Sequence, residues 1–440
     1  MGRPPTAKAA NKESQIERAL GRPWVHLEHQ CKASDDVRTQ ELHRLEDAGR
    51  NEDRIRREYT GRYPMELLQN AHDACADAGH VGPVQFVVTD RALLVANEGV
   101  PFTAERITSL VRHGSSEKAL SRKSRSTIGY KGVGFDAVFE ICDRPQVISR
   151  TAAFGFDKDR ARKAIAEALG KTPAAVPIRY FPFRLDVAEW AEDREVVDML
   201  LAGGAVTVIR LPFRVGLTPE GLQRDLERSL PPEVLLFGEA VDALEIRSGV
   251  ATVRWQRRIG RRIGSGRLVH LEGVTGVARS WLVARSRTSL PRALRADLQD
   301  PLWERVPLVS FAAALPWVPG RGINADAGPA AVHVYFPTKD TMGRALLIHG
   351  DFYMNSSRRR VETKGPGGRV SALVGEHAVR LAARLAESVA DQGYRLLRAL
   401  AVSGKVDGFG GSSGSSLILH LLGRGLLVPP AARAQGGPVS

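Results

Sequence analysis

The chain has 440 residues, 43% of them hydrophobic and 25% charged, with a formal net charge of +14; this is the make-up of a soluble globular protein with room for about two to three domains. Three scattered cysteines, Cys31, Cys75 and Cys142, form no CxxC pair, which argues against a disulfide framework or a zinc site and fits a reducing, cytoplasmic setting. No apolar run approaches the ~18 residues that span a bilayer, and the polar start MGRPPTAKAANKES lacks a signal-peptide core, so neither a membrane nor a secreted chain is expected.

In chain order, residues 12–58 are polar and helix-prone, with Glu and Arg pairs that support an exposed helix. The next stretch, YPMELLQNAHDAC at 63–75, continues the helix but carries an unusual stripe. Glu66, Asn70 and Asp73 stand at i, i+4 and i+7, on one face of a 3.6-residue period, bordered by alanines that admit close neighbours. A base, an amide and a second carboxylate along one line look more like a site than a solvated face.

PVQFVVTDRALLVANEG then reads as two short strands, Val84–Val88 and Ala92–Ala96, joined by a tight polar turn and ending at Asn97 before Gly99 and Pro101. A helical AERITSLVRHG leads to a basic stretch, SSEKALSRKSRST, that is expected to be mobile. In IGYKGVGFDAVF, Gly129, Gly132 and Gly134 can expose backbone N–H groups at close range ahead of a helix start, an anion-binding arrangement. The spacing is not that of a Rossmann turn, and no GKS/T marks a P-loop. A strand PQVISR, a charged helical insertion at 157–201 and a strand in GGAVTVIRLPF complete a layered helix-and-strand core.

From about 216 the texture changes to antiparallel strands between glycine turns, including the arginine-rich RWQRRIGRR at 254–262, and then to a helix through EHAVRLAARLAESVADQGYRLLRAL. GKVDGFGGSSGSS at 404–416 reads as a flexible linker. The positive charge favours acidic partners such as nucleic acid or nucleotides, although a run of arginines is usually a solvated face.

Four of these segments, ELLQNAHDA, VANEGVPF, HGSSEK and IGYKGVGF, occur in the order found in the GHKL (Bergerat-fold) ATPases, the superfamily of gyrase B, the ninety-kilodalton heat-shock chaperones, histidine kinases and MutL. Within it, the chain most resembles the sacsin-like and NO-VEIN-like branch. The resemblance implies an α+β two-layer sandwich followed by an α/β transducer-like domain with antiparallel strands. The implied division is a helical segment at 1–52, an ATP-binding domain at 53–215, a transducer-like domain at 216–365, a helix at 366–403 and a flexible tail at 404–440.

It further implies that Glu66 is the general base and Asn70 the Mg²⁺ ligand, with Asp73 supporting the nucleotide. The nucleotide site would also include Asn97, Gly99, Ser116, Lys118, Gly129, Lys131, Gly132, Val133, Gly134, Phe135 and Thr207. Asn97 replaces the aspartate that accepts from the adenine amino group in chaperones and gyrase, and an amide can serve both adenine positions. Lys339 in FPTKD resembles a transducer lysine, and Arg358 in HGDFYMNSSRRR lies in a segment resembling one with a phosphate-directed arginine; either can sense the γ-phosphate. The expected activity is ATP hydrolysis driving lid closure in a chaperone-like or remodelling role. The alternative is a nucleic-acid-associated ATPase of a bacterial defence or DNA-processing system, while a histidine kinase and a non-hydrolysing scaffold fit less well. The partners implied are ATP, a protein client or nucleic acid, and a second copy in an ATP-dependent homodimer.

Overall fold

The chain opens with two long helices. α1 (Ala7–Cys31) is followed by α2 (Asp35–Glu58), which carries Arg–carboxylate pairs one turn apart and has Asp35 and Asp36 in its first turn and Arg56 and Arg57 in its last, matching the helix dipole. The exposed helix expected over 12–58 is thus two helices, and α2 has a buried face that includes Leu42, Leu45, Glu52 and Ile55. The computed structural model describes residues 7–111, 134–249, 251–274, 276, 278–355, 358–401, 406 and 408–423. Among them no helix is long and apolar enough to cross a membrane. The chain is mixed α/β with mostly antiparallel strands, in two units: residues 1–231 with 239–254, and residues 232–238 with 255–440.

In the first unit, α3 (Tyr63–Asp77) is followed by β1 (Gly82–Val88) and β2 (Ala92–Asn97), joined by a turn in which Thr89 N–H donates to Ala92 O and Ala92 N–H donates to Thr89 Oγ1. α4 (Ala104–Val111), a 3-10 segment at Gly134–Glu140, β3 (Gln146–Ser149) and β4 (Ala153–Gly155) come next. The insertion then supplies α5 (Lys158–Leu169), β5 (Phe183–Arg184) and α6 (Arg194–Ala202), before β6 (Thr207–Pro212), α7 (Pro219–Ser229) and β7 (Val241–Arg247). α5 starts where the Asp157 carboxylate accepts two N–H groups and ends at Gly170, whose φ of 72° only glycine adopts easily. The strand order is β7-β1-β2-β6-β3-β4-β5, with β1 and β7 parallel and the other neighbours antiparallel. One sheet face packs Val87, Leu94, Ala96, Ile148 and Val208 against Trp190, Val197 and Leu200.

The second unit holds β8 (Thr252–Ile263) from Trp255 onward, β9 (Gly266–Gly273), β10 (Ala278–Ser289), the short helices α8 (Arg292–Asp297) and α9 (Pro301–Glu304), β11 (Leu308–Val318), β12 (Gly322–Ile323), β13 (Ala331–Val334), β14 (Phe336–Thr341) and β15 (Leu347–Gly350). Its strand order is β14-β13-β15-β11-β10-β9-β8, with β12 on β11. α10 (Gly365–Glu387) buries an apolar face that includes Val370, Val374, Ala378 and Leu385 in the core with Leu282, Phe311 and Leu315. α11 (Gly393–Leu400) and α12 (Gly408–Gly423) complete it.

Of the stretch 404–416, whose glycine and serine content suggests a linker, residues 408–416 instead lie in α12. The cause is tertiary. Phe409 stacks edge-on to Phe352 at 4.8 Å, and a Cβ at Gly375 of α10 would already touch its ring at 3.0 Å.

Candidate functional site

α3 places the polar stripe. Pro64 opens the helix at a position where its missing N–H costs nothing. Glu66 is 2% exposed, Asp73 is 1% exposed and Asn70, between them, is half-buried. Arg62, in the residue before the helix, brings Nε to 3.4 Å from Glu66 Oε1.

Gly134 reaches the same carboxylate. A Cβ at Gly134 would lie 2.1 Å from Glu66 Oε2, so only a residue without one fits there as Glu66 stands. From Gly134 the chain turns into the 3-10 segment that buries Phe135, Asp136, Val138 and Phe139; the helix start expected there is of this tighter kind. Its far end is tied back to the entry of α3, because Gly61 N–H donates to Glu140 Oε2 at 2.6 Å.

On the interior strands β2, β6 and β3, register assembles a polar row. Asn97 pairs with Thr207, and Thr207 pairs with Ser149 on its other side, so the three side chains share one face. Thr207 Oγ1 and Ser149 Oγ are 3.1 Å apart, and Ser149 Oγ accepts from Phe102 N–H at 3.1 Å. Asn97 is 4% exposed, and its Oδ1 accepts from Gly99 N–H at 3.1 Å. That backbone donor fixes which end of the amide is oxygen. Gly99 lies against α3 itself: a Cβ there would come within 2.3 Å of Ala74 C and 2.5 Å of Cys75 N, and Val100 N–H donates to Ala74 O.

His72 is a partner that the helix stripe did not single out. Ala240 N–H donates to its Nε2 at 3.3 Å, which puts the ring proton on Nδ1, 3.3 Å from Asp73 Oδ1. His72 therefore orients the Asp73 carboxylate. An adjacent His–Asp dipeptide was the available signal, but the tautomer depends on a backbone group 168 residues away in sequence. Ser149 and Arg62 were likewise not singled out, and only strand register and helix entry reveal them.

In the first unit Gly134 meets Glu66 near the start of α3 and Gly99 packs on Ala74 and Cys75 near its end, with Asn70 and Asp73 on the same helix, Asn97 paired with Thr207, and Phe135 buried. Ser116, Lys118, Gly129, Lys131, Gly132 and Val133 lie outside the described residues. Lys339 and Arg358 belong to the second unit. Lys339 is exposed on β14 and its N–H donates to Arg359 O at 2.8 Å, so the two candidate γ-phosphate sensors sit on adjacent segments. Arg358 has φ of 53°, a left-handed conformation uncommon for arginine. A cavity of about 220 Å³ between α1 and α4, lined by Arg22, His26, Thr108 and Tyr180 among others, contains none of the stripe residues.

The arginine run on β8 is not uniformly solvated. Arg257 donates to Leu235 O and Gly238 O at 3.1 and 2.9 Å, and Arg258 pairs with Glu272 at 2.6 Å. Arg261, Arg262 and Arg267 are exposed, and Arg262 stands opposite Arg267 in register.

No protein-family model matches the chain. Over 315 residues it is 26% identical to Protein NO VEIN of Arabidopsis thaliana, a match that covers 69% of this chain and 10% of that protein. The chain spans about a tenth of the length of the relative it matches.

Proposed function

We propose that this chain is a magnesium-dependent ATPase of the GHKL type, with a Bergerat two-layer sandwich in its first unit and a transducer-like second unit. In this reading it turns over ATP to drive lid closure in a chaperone-like or remodelling role. The observation that carries the proposal is the approach of Gly134 to the Glu66 carboxylate. Gly134, the last glycine of a motif suited to phosphate, lies against a buried acid suited to act as a base, and the same unit holds the polar row of Asn97, Thr207 and Ser149. The likeness to Protein NO VEIN supports the NO-VEIN-like part of the reading.

Asn97 binds the base. Its Oδ1 is anchored by Gly99 N–H, so its NH2 group donates to a ring nitrogen while the second lone pair of Oδ1 accepts from an amino group. Asp73, oriented by His72, supports this side of the pocket. Glu66 accepts a proton from the water that attacks the γ-phosphorus; the bridging P–O bond breaks and ADP leaves. Arg62 holds the carboxylate from its other oxygen.

Asn70, one helical turn from Glu66, would hold the magnesium. Among the described residues no cluster of three or more His, Cys, Asp or Glu is set to cage a metal. A single amide fits magnesium, which takes few protein ligands and fills its shell with phosphate oxygens and water. When bound with ATP, the ion supplies charge neutralisation at the phosphates. Isothermal calorimetry tests the reading: wild-type protein binds MgATP and Asn70→Ala does not, whereas no wild-type binding of ATP, ADP or a non-hydrolysable analogue at millimolar concentration overturns it.

A second reading gives the protein a nucleic-acid partner. Like charges directly opposite on paired strands are destabilising, and Arg262 faces Arg267 in that way, which an anionic partner would relieve. Affinity for a DNA or RNA duplex should then fall steeply with salt, and replacing Arg261, Arg262 and Arg267 should flatten that slope; a salt-insensitive or absent interaction removes this reading.

A further inference from the structure

The segment 134–140 meets Glu66 through Gly134, and its other side rests on charges drawn from distant parts of the first unit. Asp136, two residues after Gly134, is 0% exposed, as are Arg179 and Glu52. Arg179 Nη1 lies 3.4 Å from Asp136 Oδ2. Arg179 belongs to the charged insertion, in a 3-10 turn at Ile178–Tyr180. That turn is held in place by α2, because Glu52 accepts N–H groups from Ile178 at 2.8 Å and from Arg179 at 3.2 Å.

α2 also touches the segment directly. Arg56, paired with Glu52 at 3.1 Å, lays its guanidinium over the Phe139 ring at 4.6 Å. Gly49 lets α2 lie close to the insertion, since a Cβ there would come 2.6 Å from Val176 N. Two segments distant in sequence, α2 and the 178–180 turn, therefore meet the 134–140 segment, Arg179 at Asp136 and Arg56 at Phe139.

Buried ion pairs are poor sources of net stability, because desolvation offsets most of the attraction, and an apolar pair of the same volume often holds two segments as well. What such a pair adds is position. A buried ion pair holds only where the two charged groups can meet, whereas apolar side chains tolerate sliding. The position fixed here is that of the segment carrying Gly134, and a displacement of about 1 Å at a reacting centre can cost on the order of 10² in rate.

We propose that Arg179, held by Glu52, is a positioning residue that acts through Asp136 to fix the 134–140 segment and hence Gly134 against the Glu66 carboxylate. The inference rests on the ATPase reading above. It assigns α2 and the insertion, neither of which carries a residue of the stripe, to the scaffold of the site.

The test uses the full chain with Arg179→Met, Arg179→Lys and the isosteric Asp136→Asn, beside Val197→Ala as a control for lost core packing on the far face of the sheet. MgATP binding, steady-state turnover, melting temperature and amide hydrogen exchange over residues 135–141 are measured for each. The expected result is a fall in kcat of at least tenfold in Arg179→Met and Asp136→Asn, with local exchange accelerated, partial recovery in Arg179→Lys, and wild-type kcat in Val197→Ala at a comparable melting temperature. If Arg179→Met does not accumulate folded, Asp136→Asn decides. Wild-type kcat in folded Asp136→Asn, or an equal loss in Val197→Ala, overturns the inference while leaving the ATPase reading intact. Absence of MgATP binding in the wild type is a different outcome, and it overturns both.

Discussion

On the ATPase reading, Gly134→Ala separates a catalytic contact from a packing contact. The added Cβ would lie 2.1 Å from Glu66 Oε2 and 3.1 Å from its Cδ, but 3.6 Å from its Cβ. The helix backbone therefore need not move; the carboxylate must. Holding a side chain away from its preferred rotamer costs about 0.5–1.5 kcal/mol, which lowers the melting temperature of a unit this size by about 2–4 °C per kcal/mol. Displacing a general base typically removes on the order of 10²–10⁴ in rate, or about 3–5 kcal/mol of transition-state stabilisation. The expected signature is a small loss of stability with a much larger loss of turnover, read by a phosphate-release assay beside a thermal melt of the same preparation. Wild-type turnover would refute the reasoning, and so would a fall of more than about 10 °C in melting temperature, since Glu66 would then be packed too rigidly to swing.

Gly99→Ala should behave in the opposite way. Its Cβ would meet backbone atoms of Ala74 and Cys75 at 2.3 and 2.5 Å, so strain of about 1–3 kcal/mol or more is expected in urea denaturation, and an unchanged midpoint would contradict the packing described. Acid should destabilise the second unit through its buried histidines: burial holds His333 down at about 4 and His349 well below the ordinary 6.5, with His333 and then Arg285 adding to the effect on His349. Both are neutral when folded, while the unfolded chain takes up protons below pH 6.5. Their contribution is thus complete above that pH and lost as pH falls toward 4, by about 3 kcal/mol for His333; equal stability at pH 7.5 and pH 5 would contradict this. Cys31 is exposed, whereas burial pushes the Cys75 thiol up to about 11 and raises Cys142 further. A disulfide reagent at pH 8 should titrate one fast thiol in the native protein and three after denaturation, and a fast reaction at Cys142 would contradict its burial.

The stripe on α3 was legible because its three members share one helical face, and the strand ending at Asn97 because β-branched runs and a polar turn flank it. The contact between Gly134 and Glu66 was not, since 68 positions of sequence separate two residues whose meeting depends on the path of the intervening chain. Glu52 and Arg179 were invisible for a stronger reason. In a helix rich in Glu–Arg pairs, a fully buried glutamate looks like its exposed neighbours until a backbone turn from residues 178–179 comes to rest on it. The arginines of β8 were legible as a basic run, but not which of them bind carbonyl groups or Glu272 and which face outward. Residues 408–416 misled for a related reason: glycine and serine weaken a helix locally, yet Phe409 has a place between Phe352 and the small residue Gly375.

The most direct test of the account is single-turnover and steady-state hydrolysis of MgATP by Glu66→Ala, with binding measured on the same sample. Glu66 touches Gly134 and Arg62 but lies one helical turn from Asn70, so its removal should spare the nucleotide-holding residues. The account predicts retained ATP binding with turnover lowered by about 10²–10⁴, and accumulation of the ATP-bound state as protease protection or increased light scattering. Hydrolysis at the wild-type rate would make Glu66 a structural residue and contradict the catalytic reading of the stripe.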